Sequence, residues 1–159
     1  MAEAGLSLGS NLGDKAAMIE EALRRLDASD GIRLVRRSSL YRTEPWGDQN
    51  QDWFLNACAL VETALAPHAL LDRCLAIEAA LGRDRGKSTK WGPRPVDIDV
   101  LFYGDQKIAE PGLTLPHPRL FDRAFVLVPL SDIAAGHIVG GRRIGDAARS
   151  INRTGVVPY

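Results

Sequence analysis

The sequence predicts an α+β domain of the ferredoxin-like, split βαβ kind, and three observations carry that expectation. Segments of strand and helix character follow one another as β-α-β-β-α-β through the first two thirds of the chain. The strand segments 54–63 and 96–103 alternate in character with the two-residue period of a sheet. The intervening helical segments repeat their apolar residues every three or four positions. The expected architecture is an antiparallel sheet with helices packed on one face, an extended C-terminal third, and a single domain over 1–159.

Each element has a local reason. Residues 4–9 read as the first strand, with Leu6 and Leu8 alternating against smaller neighbours. Gly9-Ser10-Asn11-Leu12-Gly13-Asp14 is turn chemistry that also supplies helix caps. Ala16, Ile19, Leu23 and Leu26 then mark an amphipathic helix that Asp30-Gly31 ends. Residues 32–42 read as one strand through Ile32, Leu34, Leu40 and Tyr41, followed by a polar loop to Asp52 and the strand 54–63. Pro67 opens a second helix to Leu81 whose few charges, Asp72, Arg73 and Glu78, predict that it is mostly buried. Gly82 stands at its C-cap. After a basic loop comes the strand 96–103, and Gly104-Asp105 predicts a hairpin with a return strand over 107–109. Short helices are expected over 125–134 and 144–151.

Composition narrows the function. Twenty Lys and Arg balance twenty Asp and Glu over 159 residues, so no global basic field exists to hold a nucleic acid. No apolar run approaches the roughly 20 residues of a membrane helix, and Met1-Ala2-Glu3-Ala4-Gly5 lacks the basic start of a secretion signal. Cys58 and Cys74 form neither a metal motif nor a disulfide framework. The expectation is a cytoplasmic enzyme or binding domain, without nucleic-acid or membrane partners.

The sharpest local signal is Val96-Asp97-Ile98-Asp99-Val100. On a strand, Asp97 and Asp99 share the face opposite Val96, Ile98, Val100 and Phe102, their stems roughly 7 Å apart. Such a pair suits a hard divalent cation; a solvated edge strand or ion pairs with Arg would also explain it. Residues 83–94 then place Arg83, Arg85, Lys87, Lys90 and Arg94 against the single Asp84. A basic loop beside an acidic strand is satisfied by Mg²⁺ with a polyphosphate, which the metal bridges to the carboxylates. Mutual neutralisation in weak surface ion pairs is the plain alternative. No P-loop motif is present. Phe54 and Asn56 share a strand face, where an aromatic can stack on a flat heterocycle and the amide can read its edge. An Asn bonded to a nearby turn fits that pattern equally. Pro45 and Trp46 offer further apolar wall. Glu78, His117 and Arg123 are individually weak signals.

In order along the chain, several segments resemble the 6-hydroxymethyl-7,8-dihydropterin pyrophosphokinase family: Leu8-Gly9-Ser10-Asn11-Leu12-Gly13, Ser39-Leu40-Tyr41-Arg42-Thr43 and Phe54-Leu55-Asn56-Ala57. Ile77-Glu78, Gly82-Arg83-Asp84-Arg85, Trp91-Gly92-Pro93-Arg94-Pro95-Val96-Asp97-Ile98-Asp99 and Leu113-Thr114-Leu115-Pro116-His117 continue it. The resemblance implies a ferredoxin-like fold and transfer of the β,γ-diphosphoryl unit of ATP to the pterin hydroxymethyl oxygen. It implies that Asp97 and Asp99 hold two Mg²⁺ ions, and that Arg83 and Arg94 assist transfer. Glu78, Arg85, Lys90, Ile98, His117 and Arg123 would meet ATP. Thr43, Pro45, Trp46, Phe54, Asn56 and Phe125 would bind the pterin. The glycines and charge of the loop 83–91 predict that it closes over the nucleotide, and a monomer is expected. Departures are Phe54 where Tyr is common, Lys90 for a frequent Arg, and Gly112 and Pro118 where some members carry Arg and Tyr. A noncatalytic RNA- or nucleotide-binding module and a two-metal nucleotidyltransferase are the rival readings.

Overall fold

The computed structural model describes residues 1–43, 52–82 and 95–159. Its centre is an antiparallel sheet. Strand β1 (Ala2–Ser10) lies between β4 (Phe54–Thr63) and β5 (Asp97–Tyr103), while β2 (Ile32–Arg37) and β3 (Tyr41–Thr43) both pair with the far side of β4. Helix α1 (Lys15–Asp27) connects β1 to β2, and α2 (Pro67–Ala80) connects β4 to β5. The Asp14 carboxylate caps α1 by accepting from the Ala17 amide at 3.1 Å, and Gly31 takes the left-handed φ of 82° that the turn into β2 requires.

The period-two pattern divides the strands between two cores. Leu6 and Leu8 of β1, Leu55, Ala57, Ala59 and Val61 of β4, and Ile98 and Val100 of β5 pack with α1 and α2. Cys58 and Leu60 face the other way, into a second cluster with Val126, Leu127 and Leu130 of α3 (Ala124–Ala134) and Ile144 and Ala147 of α4 (Ile144–Ser150). Helices therefore cover both faces. The helices expected over 125–134 and 144–151 form as α3 and α4, but the expectation of one helical face misses their placement, because the C-terminal third folds back onto the other side of the sheet.

Four further differences have physical causes. The segment read as one strand over 32–42 is two, because Ser38 turns inward at the junction. Its amide donates to the Cys58 carbonyl, and its hydroxyl oxygen accepts from the Cys58 amide while the O–H donates to the Ser39 carbonyl. The turn at Gly104 exists, but the return strand β6 (Ile108–Glu110) pairs with β7 (Leu113–Leu115) instead of β5. The outer edge of β5 is taken elsewhere: Ile98 N–H donates to Glu78 Oε2 at 2.7 Å and Leu101 C=O accepts from His117 N–H at 2.8 Å. Helix α2 buries only the stripe Leu70, Cys74, Ile77 and Glu78; its small alanines lower the charge count without placing it inside.

Phe102 is the fourth difference, for it does not share a face with Val100. Leu6 pairs with Val100 and Gly5 with Phe102, so Leu101 is an extra residue, a β-bulge. Leu101 and Phe102 both enter the second core. Gly5 makes this possible, since a Cβ there would lie 2.3 Å from Phe102 Cε2. The rest of the chain adds the hairpin β8 (Ile138–Val139) and β9 (Arg142–Arg143), and β10 (Val156–Pro158), which extends the main sheet beyond β3.

Candidate active site

At one end of the α3-covered face the apolar packing gives way to polar side chains, and the register places them. Tyr41, Asn56, Gly9 and Asp97 are successive partners in one row across β3, β4, β1 and β5. Cys58, Ser7 and Asp99 form the next row. Adjacent strands lie about 4.8 Å apart, so Asn56 and Asp97 stand about 10 Å from each other across Gly9. A Cβ on Gly9 would come 2.9 Å from Asn56 Nδ2. The glycine keeps the floor between amide and carboxylate flat.

Asn56 is buried, and its Oδ1 accepts from the Thr43 hydroxyl at 2.7 Å. The partner is a neighbouring strand, not a turn, and the bond fixes the amide plane with Nδ2 toward Gly9. Phe54 is half-buried two residues away on the same face, and Phe125 is half-buried in the first turn of α3. Thr43, Asn56, Phe54 and Phe125 are thus set on the strands and the helix that frame one end of this face.

On the other side of Gly9, Asp97 is half-buried and Asp99 exposed. Asp99, His117, Arg119 and Arg123 act on one another electrostatically. Burial is the main cause holding the His117 imidazole below its ordinary value; Arg123 and Arg119 add to it and Asp99 opposes. Arg123 is likewise held below the usual guanidinium value, by burial first and then by Arg119. His117 hangs from β5 by its amide, and its Nδ1 accepts from the Arg119 N–H at 3.1 Å, so the neutral ring carries its hydrogen on Nε2. Arg123 stands at the N-cap of α3, with its guanidinium carbon 5.6 Å from the Phe125 ring centre.

The donor set fits a hard cation. Two carboxylates from one strand face, one of them open to solvent, are what Mg²⁺ takes when waters and substrate phosphates complete its octahedron. Among the described residues no cluster of three His, Cys, Asp or Glu forms an all-protein cage.

Two expected nucleotide contacts have buried positions. Glu78 is 2% exposed and its carboxylate holds the Ile98 amide, between the two aspartates; the Ile98 side chain lies in the first core. Neither side chain reaches the open face. Arg83, Arg85, Lys90, Arg94, Pro45 and Trp46 lie outside the described residues. Tyr41 and Gly9 join the site by register, although sequence reasoning gave neither a role; only their membership of the Ser39–Thr43 and Leu8–Gly13 segments marked them.

A family model described as 7,8-dihydro-6-hydroxymethylpterin-pyrophosphokinase matches residues 5–135. This chain belongs to the pyrophosphokinase family. A Methylorubrum extorquens protein named 2-amino-4-hydroxy-6-hydroxymethyldihydropteridine pyrophosphokinase is 51% identical to it, over 98% of both chains. The Bacillus subtilis protein of the same name is 38% identical over 80% of this chain and 75% of that one. A mitochondrial folate synthesis bifunctional protein of Pisum sativum is 43% identical over 82% of this chain, which spans only 25% of the pea protein. Among solved structures, an HPPK-DHPS in complex with substrates superposes with a TM-score of 0.73 at 14% identity, over 94% of this chain and 43% of that one. At that identity the likeness shows the pyrophosphokinase-domain fold alone. The mixed α and antiparallel β architecture agrees with it.

Proposed function

We propose that the protein transfers the β,γ-diphosphoryl unit of ATP to the hydroxymethyl oxygen of 6-hydroxymethyl-7,8-dihydropterin. The new bond joins that oxygen to the β-phosphorus, the bond from the β-phosphorus to the α,β-bridging oxygen breaks, AMP leaves, and the hydroxyl proton passes to solvent. The observation that carries this reading is the row Asn56–Gly9–Asp97, in a chain whose 51%-identical relative bears the pyrophosphokinase name over its full length. A fixed amide for a heterocycle and a carboxylate pair for a metal–phosphate complex sit about 10 Å apart on one sheet face. The frame, with β1 and β4 central and crossover helices on one face, supports the ferredoxin-like description.

Little covalent chemistry is asked of the protein; alignment and charge neutralisation do most of the work. Asn56, oriented by Thr43, reads the edge of the pterin, and Phe54 and Phe125 supply faces for its ring. Asp97 and Asp99 would hold Mg²⁺, two ions in this reading, which would supply positive charge against the phosphates. His117 and Arg123, gathered around Asp99, are placed to donate to the nucleotide. Arg83 and Arg94 stabilise charge as the bond to the α-phosphate breaks, and Glu78 acts through β5. Arg85 and Lys90 complete the nucleotide contacts, with Ile98 limited to its main chain because its side chain is in the first core; Pro45 and Trp46 complete the pterin wall. The working form is a cytoplasmic monomer.

Product identification tests the reading. Purified protein with ATP, Mg²⁺ and the hydroxymethyl pterin is expected to release AMP and pterin diphosphate in equal amounts. Pyrophosphate with a nucleotidylated pterin would replace it with nucleotidyl transfer, and no turnover would end it.

A further inference from the structure

Tyr41 lies at the outer end of the row that carries Asn56, two residues before Thr43 on the same strand face. Its hydroxyl donates to Asp132 Oδ2 at 2.6 Å, across 91 residues of chain. Asp132 is seven residues, about two turns, beyond Phe125 on α3. The other end of that helix is anchored differently, with Cys58 Sγ 3.5 Å from the Val126 carbonyl. One end of α3 is thus moored to the centre of the sheet, and the other is tied to the strand that orients the Asn56 amide.

The tie is built into the C-terminal segment. Strand β10 pairs with β3 over Thr43 to Tyr41, and Tyr159 N–H donates to the Leu40 carbonyl at 3.0 Å. Arg153 contributes a positive charge beside the Tyr41 hydroxyl while its Nη2 donates to the Ala148 carbonyl at 2.8 Å. Burial, followed by the Asp132 carboxylate, pushes the Tyr41 phenol up to about 12, so the hydroxyl remains a donor throughout the neutral range.

We propose that Tyr41 is a positioning residue: its hydroxyl bond to Asp132 fixes α3 against β3 and so holds Phe125 and the Thr43–Asn56 pair at the separation that a flat heterocycle requires. This deepens the pterin reading and rests on it. The tie meets the pterin side directly through β3, whose Thr43 orients the Asn56 amide, but reaches Arg123 and the carboxylate pair only at the far end of α3, beyond the Cys58–Val126 mooring, so its loss acts more on the pterin than on the nucleotide. A bond that only stabilised the fold would show no such preference.

The comparison is between two tyrosine hydroxyls. Tyr103 also donates a hydrogen bond, to the Leu65 carbonyl at 2.5 Å, but it packs with the core under α1 and α2. Tyr41→Phe is expected to raise the pterin KM about tenfold while kcat and the ATP KM stay within twofold. Asp132→Asn is expected to shift the same constant in the same direction, and the double variant to do no more than Tyr41→Phe. Tyr103→Phe is expected to lower Tm without moving either KM. An unchanged pterin KM in Tyr41→Phe, an equal rise in Tyr103→Phe, or independent multiplication of the two single effects would overturn the proposal. Amide hydrogen exchange decides the matter without turnover: Tyr41→Phe is expected to speed exchange over residues 124–134, and an unaltered rate would sink the tie even if the wild-type protein made no product. Absence of product from the wild-type protein with faster exchange in the variant would end the functional reading alone.

Discussion

The two faces of the sheet use the same strands for opposite ends. Under α1 and α2, β1, β4 and β5 present Leu6, Leu8, Leu55, Ala57, Ala59, Val61, Ile98 and Val100, a nearly unbroken apolar surface. Under α3 and α4 the surface is apolar only over Cys58, Leu60, Leu101 and Phe102, and then changes to Asn56, Asp97 and Asp99. Alternation lets each strand seal one face while exposing chemistry on the other, one residue away. The sealed face should therefore govern stability and the open end of the other should govern turnover, with little crossover.

The sharpest break of that division is Asp97→Ala. Loss of one carboxylate donor is expected to lower Mg²⁺-dependent kcat about a thousandfold, several kcal/mol of charge stabilisation, with Tm near wild type. Turnover within tenfold of wild type would dismiss the metal assignment. Next comes Leu8→Ala, one residue from Gly9 but on the sealed face and fully buried. It is expected to cost about 2–5 kcal/mol in urea unfolding while kcat of the folded fraction stays within twofold; a kcat loss matching that of Asp97→Ala would erase the distinction between the faces.

A subtler probe is Gly9→Ala, whose Cβ would press on Asn56 Nδ2. An increase in pterin KM of about tenfold, one displaced polar contact at about 1.4 kcal/mol, is expected with ATP KM unchanged. Steady-state kinetics in both substrates separates this from a general loss, which would raise the two together. The smallest effect concerns acid. Burial holds His117 below its ordinary value of 6.5, so between the folded and unfolded values the unfolded chain binds more protons. Stability present above about pH 6.5 is then lost as pH falls through and below it. In metal- and nucleotide-free protein the urea midpoint should fall between pH 7.5 and 5.5, and His117→Gln should reduce that fall; an identical fall in both proteins would contradict the assignment.

What the sequence disclosed follows the range of the forces involved. Helix α1 and strands β1, β4 and β5 were legible because periodic burial is a local pattern. The common face of Asp97 and Asp99 followed from alternation, and the run from Trp91 to Asp99 made the family recognisable. Features set by distant partners were not. Ser38 breaks its strand to bond Cys58, twenty residues on, and β10 finds β3 across more than a hundred. Glu78 is a weak signal in the sequence, and only the fold brings the Ile98 amide opposite it. Nothing in Tyr41 alone announces Asp132.

The bulge at Leu101 leaves β5 one residue longer than its pairing with β1 needs. Strands rarely tolerate a change of length, because losing one residue turns every later side chain over. Here Leu101 is supernumerary, so its deletion would leave Phe102 and Tyr103 on their present sides and the two aspartates on theirs. What would vanish is the carbonyl that suspends His117, together with one side chain of the second core. The strand can therefore be shortened here without turning over the residues that follow, at the expense of the imidazole's anchorage.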